Sequence, residues 1–276
     1  MMNEHMRTRR PFLRLLATAL LTPFLIAGVG AGDDSSAMRY VPNDAFGFGE
    51  YLEYNVGYKF ISAGKASFTV GKEPVTVNGR KCYDIRFDVA SLKSLEFLYK
   101  VRDRYRTIVD IDGVFPWKFE QHIREGGFSK DFTASFDQVT HSAVTTEGTF
   151  PIPPFVHDIV SAFYYIRTFD LKKYKAGDVI YLQNFFDRET HDLQVKVLGR
   201  QKVTVEAGAF NCVVIEPIIK SGGLFKSEGR ILIWLSDDDR KIPVKVSTKI
   251  LIGSIDAELT SYKGLRGPLT GRTGDE

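Results

Sequence analysis

The 276-residue chain is poor in the residues that usually announce chemistry. It has two cysteines, two tryptophans and five histidines. No Gly-x-Ser-x-Gly, no Cys-x-x-Cys and no phosphate-binding glycine loop occurs, which removes the common sequence grounds for acyl transfer, dithiol redox chemistry and nucleotide binding. His122, His141, His157 and His191 fall in no metal-type spacing with Cys, Asp or Glu, and His157-Asp158 reads as the cap of a helix. Asp237-Asp238-Asp239 lacks the glycine and the further acids of a calcium loop and reads as a turn. Ser62-Ala63-Gly64-Lys65 matches a Ser-x-x-Lys signature but sits between two expected strands, where the helix that signature needs cannot form. Charge of one sign is lacking too: the formal net charge is +3, and part of it lies at the N-terminus, so no nucleic-acid partner is indicated. The expectation is a protein that is not an enzyme and has neither cofactor nor metal.

Long apolar runs are confined to the start. Arg7, Arg9, Arg10 and Arg14 precede an apolar stretch, Leu15 to Val29, that ends in small residues, Gly28-Val29-Gly30-Ala31-Gly32. This order reads as a cleaved secretory signal over residues 1–32. The stretch is shorter than the ~20 residues a spanning helix needs, so no stable membrane span is expected after processing. No cysteine lies near the cleavage point for lipid attachment. The location this implies is the periplasm of a Gram-negative-type bacterium.

What the chain does have is a β-rich pattern that recurs. Gly49-Glu50-Tyr51-Leu52 and Gly177-Asp178-Val179-Ile180 lie 128 residues apart, as do Val70-Gly71 and Leu198-Gly199, and Val75-Thr76-Val77 and Val203-Thr204-Val205. Alternating runs fill both stretches, and Asn78-Gly79 marks a tight hairpin. Trp117, Phe119, Gln121 and Ile123 share one strand face, and Val244, Val246, Thr248 and Ile250 share the corresponding face of the second stretch. Between them Pro151-Ile152-Pro153-Pro154 gives way to a helical period over Val156 to Phe169. The expected fold is mainly β: curved antiparallel sheets or a half-open barrel built from two similar halves, with one amphipathic helix between them. The expected divisions are a flexible lead-in (33–45), a first β unit (46–150), a Pro-rich linker and helix (151–174), a second β unit (175–263) and a disordered tail (264–276).

Cys82 and Cys212 occupy matching places in the two halves. In an exported chain they are either a candidate disulfide, worth roughly 2–4 kcal/mol, or two separate buried thiols filling equivalent core slots. Lys100, Arg102, Arg104 and Arg106 alternate along an expected strand and share a face. That strip suits an anionic headgroup, and equally suits a solvated outer face that discourages edge pairing. Phe163 and Tyr164 belong to an aromatic load that either fills a core or walls a lipid cavity.

Three stretches together resemble the domain-of-unknown-function 3108 family of exported bacterial proteins. They are Gly49-Glu50-Tyr51-Leu52-Glu53-Tyr54 with Gly64-Lys65-Ala66, Asp158 to Arg167, and Ile233-Trp234-Leu235-Ser236-Asp237-Asp238-Asp239-Arg240-Lys241-Ile242-Pro243-Val244. The resemblance implies a periplasmic, mostly β protein and carries no established activity or catalytic residue. The Trp, Asp and Pro-Val pattern is also similar to that of periplasmic lipoprotein carriers, whose half-open β-barrel holds acyl chains against a helix. Together these readings point to a partner that is a lipid or other amphiphile, or else an envelope protein bound through an exposed sheet face.

Overall fold

A computed structural model describes residues 38–58, 61–219, 230–249 and 253–274. The predicted signal and Ile250 lie outside the described residues. In chain order the elements are β1 Tyr51–Tyr58, β2 Ile61–Val70, β3 Val75–Val77, β4 Arg80–Ser91, β5 Arg102–Asp110, β6 Pro116–Glu125, β7 Phe128–Asp137, β8 Ser142–Thr145 and β9 Gly148–Pro151. Helix α1, Ile159–Arg167, follows. Then come β10 Val179–Phe186, β11 Glu189–Val205, β12 Gly208–Ile219, β13 Ile231–Ser236, β14 Pro243–Lys249, β15 Ser254–Lys263 and β16 Arg272–Thr273.

Among the described residues, all sixteen strands belong to one antiparallel sheet, ordered β10-β11-β12-β13-β14-β15-β1-β2-β4-β5-β6-β7-β8-β9, with β16 on β12 and β3 on β4. The two stretches read from the sequence are therefore two meanders of a single sheet, joined where β1 pairs with β15. First residues of corresponding strands keep the 128-residue spacing: Tyr51 and Val179, Ile61 and Glu189, Arg80 and Gly208. Strand placement is the support a duplication has. The ladder does not close into a barrel, because β9 and β10 do not pair. Instead, Phe136 and Phe150 of the first meander meet Phe185 of the second, and His157 forms a bridge with Asn184.

Asn78 and Gly79 both adopt left-handed backbone (φ 50° and 75°) between β3 and β4. That is what a two-residue hairpin matched to strand twist requires, and Asn-Gly tolerates it best.

Antiparallel register gathers the connections at two ends. The last residues of β1, β4, β6, β12 and β14 and the first residues of β2, β5, β7, β13 and β15 share one end, the rim. The opposite end carries the β5–β6, β11–β12 and β13–β14 turns and both terminal segments. Residues 38–45, expected to be flexible, are packed there. The Val41 amide donates to the Asp112 carbonyl at 2.7 Å, and Ala45 is buried. The expected disordered tail is ordered through residue 274. Gly264 passes against the Gly49 carbonyl, Leu265 and Leu269 pack on the core, and the Gly271 amide donates to Asp238 at 2.8 Å. Both segments misread as loose because their partners are distant in sequence and their own composition is polar.

Helix α1 is shorter than the expected Val156–Phe169. Asp158 begins it by accepting from the Val160 and Ser161 amides (2.8 and 2.9 Å), and the Ser161 hydroxyl accepts from the Asp158 amide, a reciprocal capping box. None of its residues is exposed, so it has no wet face. Its polar residues are buried with the rest, Ser161 in the cap and Arg167 in an ion pair with Glu50. Val160 and Tyr164 join a cluster with Phe46, Ile85 and Phe119, while Ala162 and Ile166 join a second with Leu182, Val195 and Ile215. The helix thus links the inner faces of both meanders.

Candidate ligand cavity

Strand alternation sends Tyr54, Phe68, Phe87 and Tyr105 inward from β1, β2, β4 and β5, and Leu193, Val195, Ile215, Ile233 and Val246 inward from β11 to β14. They do not fill the space they enclose. A cavity of about 320 Å³ lies between them and the Ile159, Phe163 and Ile166 side of α1. That volume falls within the usual range for ligand pockets, roughly 300–1,000 Å³. The wall is almost wholly carbon, and two of its polar atoms are already engaged: the Tyr54 hydroxyl donates to the Pro243 carbonyl at 2.8 Å, and the Asn184 amide donates to the His157 carbonyl at 3.1 Å. Desolvation raises the Tyr54 phenol well above its ordinary range, so it stays neutral. The cavity reaches the rim, because Ile231 and Thr248 pair with each other at the rim end of β13 and β14.

The far side of the helix is filled. Arg167, fully buried, makes a two-pronged ion pair with Glu50, Nη1 to Oε1 at 2.7 Å and Nη2 to Oε2 at 2.8 Å. It also donates to the Arg240 carbonyl at 3.1 Å and lies over the Tyr164 ring. Burial opposes the Arg167 charge, but the Glu50 carboxylate outweighs it and the guanidinium is held more firmly protonated than usual. The helix is thereby fixed at its C-terminal end, leaving its other side to face the cavity.

A family model for proteins of unknown function, DUF3108, matches residues 53–260. The chain belongs to the DUF3108 family. No curated protein matches its sequence. Among solved structures, this DUF3108 chain is similar to a beta-barrel-like protein of domain of unknown function DUF1849 from Brucella abortus, at 13% identity and a TM-score of 0.49, covering 82% of this chain and 98% of that one. It is also similar to the hypothetical protein CT021 from Chlamydia trachomatis, at 8% identity and a TM-score of 0.33, covering 83% and 93%.

The residues singled out in the DUF3108 sequence separate in space. Phe163 lines the cavity, whereas its neighbour Tyr164 points into the filled core and donates to Glu50 at 3.4 Å. The basic strip lies on the face of β5 opposite Tyr105, hence opposite the cavity. Arg104 pairs with Asp88 at 2.9 Å, Arg106 with Asp84 at 2.8 Å, and Arg102 with Glu96, while Lys100 is exposed just before the strand. Each arginine meets a carboxylate from a neighbouring strand or from the β4–β5 loop, which makes the strip an ion-paired outer face. Strip and cavity therefore do not form one site.

Cys82 and Cys212 are unpaired and buried in separate clusters, so the candidate disulfide is not formed. Burial pushes each thiol up to about 12. Equivalent positions in two meanders face equivalent core slots and need not meet.

His157, which sequence reading assigned to a cap, precedes the capping residue. It is stacked on Tyr165 and hydrogen-bonds Ser161 at 3.3 Å and Arg39 at 3.4 Å. Burial, then the Arg39 charge, pushes it well below its ordinary range, so it is neutral. Asp238 accepts from the Ser236 hydroxyl and from the amides of Arg240, Lys241 and Gly271, the behaviour of a turn residue. No cluster of three or more His, Cys, Asp or Glu among the described residues is arranged to hold a metal. Nor is any helix among them long and apolar enough to cross a membrane.

Sequence reasoning missed Glu50, Arg39 and the strand residues that wall the cavity. The strand phase was available, since Val246 and Thr248 were already assigned to one face. Which inward residues leave a void depends on side-chain sizes across a sheet of unknown curvature.

Proposed function

We propose that this protein binds a lipid or other amphiphile, with an apolar chain held between α1 and the concave face of the sheet and no covalent chemistry performed on it. The observation that carries the reading is the apolar cavity itself, reaching the rim, with the polar atoms of Tyr54 and Asn184 in its wall already engaged. A genuinely apolar void of this size has little to offer water and much to offer hydrocarbon. Burying apolar surface contributes about 25 cal/mol per Å², so one acyl chain supplies several kcal/mol without a polar contact. The N-terminal signal pattern supports a periplasmic location for this binding.

Native mass spectrometry on residues 38–276, recovered without detergent from a bacterial periplasm and paired with lipid extraction, tests the reading. The fragment holds every described strand and the helix. A reproducible bound amphiphile is expected. A bare mass that persists when fatty acids and phospholipids are offered contradicts it and favours an adaptor that binds an envelope protein through an exposed face.

A further inference from the structure

Large apolar side chains stand exposed at the rim. Phe97 and Leu98 are 80% and 70% exposed, Tyr99 is 55% exposed, and Ile61, Phe128 and Ile255 join them at the rim ends of β2, β7 and β15. The β4–β5 connection that carries Phe97-Leu98-Tyr99 is held in place. The Leu92 amide donates to the Ala63 carbonyl at 2.9 Å, and the Gly126 amide donates to the Lys100 carbonyl at 2.8 Å. The Tyr99 ring lies where a side chain at Gly126 would have to go. A 3-10 turn over Lys93–Leu95 shortens the connection further.

Lys93 and Lys100 bracket this apolar tip. Both are exposed and neither has an ion pair among the described residues, whereas Glu96 on the same connection is taken by Arg102. Aromatic and aliphatic groups between flanking lysines suit the boundary of a bilayer: rings and chains enter the headgroup layer while ammonium groups stay at the phosphates. An anionic surface attracts basic residues that lie within a Debye length of it, and salt weakens the attraction. A soluble protein rarely leaves so much hydrocarbon together in water without such a use.

We propose that the Leu92–Val101 connection docks on the surface of an anionic bilayer, Phe97, Leu98 and Tyr99 entering it and Lys93 and Lys100 lying over lipid phosphates, so that the cavity mouth faces the membrane. The docking goes beyond amphiphile binding and is measured separately from it.

Co-sedimentation of residues 38–276 with phosphatidylethanolamine vesicles, with and without phosphatidylglycerol, reads it directly. The expected result is binding that needs phosphatidylglycerol and weakens with salt. The triple variant Phe97→Ser, Leu98→Ser, Tyr99→Ser is expected to bind at least about tenfold more weakly. Lys93→Glu with Lys100→Glu is expected to abolish the preference for phosphatidylglycerol. Far-ultraviolet circular dichroism and thermal melting confirm that the variants fold. Equal pelleting of intact and triple-variant protein overturns the proposal, as does absence of vesicle binding by the intact protein. A concentration-dependent dimer that the triple variant abolishes, with no vesicle binding, assigns the tip to a second copy and overturns it as well.

Discussion

On one side of helix α1, Arg167, Tyr164 and Glu50 close a buried polar cluster inside packed aromatic rings; on the other, Ile159, Phe163 and Ile166 look across an unfilled apolar space. The two sides are made of similarly hydrophobic sequence. Filling differs because the sheet curves round the helix, and the lead-in and tail pack against the end where Arg167 lies, while nothing among the described residues occupies the space towards the rim. The helix is thus anchored on one side so that its other side can stay open.

Substitutions on the anchored side should be the most damaging. Arg167→Met leaves Glu50 buried without its partner, and urea unfolding is expected to show a loss of about 3–5 kcal/mol. Combining it with Glu50→Leu is expected to recover much of that, since an apolar pair of similar volume removes the stranded charge. Recovery in the double variant sharpens the contrast between the sides; no loss in the single variant breaks it. Next in size is the cap. Asp158→Ala removes the acceptor of two helix amides and of the Thr107 hydroxyl, which donates at 2.7 Å, and should cost about 1–2 kcal/mol.

Acid should loosen the end of the sheet opposite the rim before it affects the cavity walls, which carry no carboxylates. Burial alone would raise Asp110, but hydrogen bonds from Arg80, the Gly113 amide and Trp117 pull it below its ordinary value. Asp84 is lowered in the same way: burial opposes the shift, and Arg106 and Arg86 overcome it. Both groups take up protons more readily unfolded than folded. Their stabilisation is therefore complete above the ordinary carboxylate value of 3.8 and is lost as pH falls through the lower folded values. Unfolding monitored between neutral pH and about pH 2 should show this decline, and Asp110→Asn should flatten part of it.

Smaller effects are expected on the open side. Phe163→Ala removes a ring that already borders a void, so its cost should fall below the 3–5 kcal/mol typical of a Phe in a filled core. Arg104→Ala, at an exposed pair on the outer face, should change stability by less than about 0.5 kcal/mol and leave amphiphile uptake unchanged. A change in uptake there would return the basic strip to the binding site.

Much of this was legible in the chain. Alternation, the Asn78-Gly79 turn and the helical period gave a mainly β fold with one helix, and the phase of Val246 and Thr248 gave the inner face. The misreadings share a cause. Glu50 and Arg167 are 117 residues apart, Arg104 finds Asp88 across a strand pair, and the terminal segments pack on turns they never neighbour in sequence. Each depends on sheet register and curvature, which local patterns do not contain. The emptiness beside Phe163 is of the same kind.

The central claim is tested most directly by calorimetric titration of residues 38–276 with saturated fatty acids of increasing length, alongside Ala257→Trp, which places a ring in the cavity wall. Affinity should improve by up to about 0.8 kcal/mol per added methylene until the chain fills the cavity, then level off. The Ala257→Trp variant should level off at a shorter chain. Binding that ignores chain length, or that Ala257→Trp leaves unchanged in a folded protein, would contradict the claim.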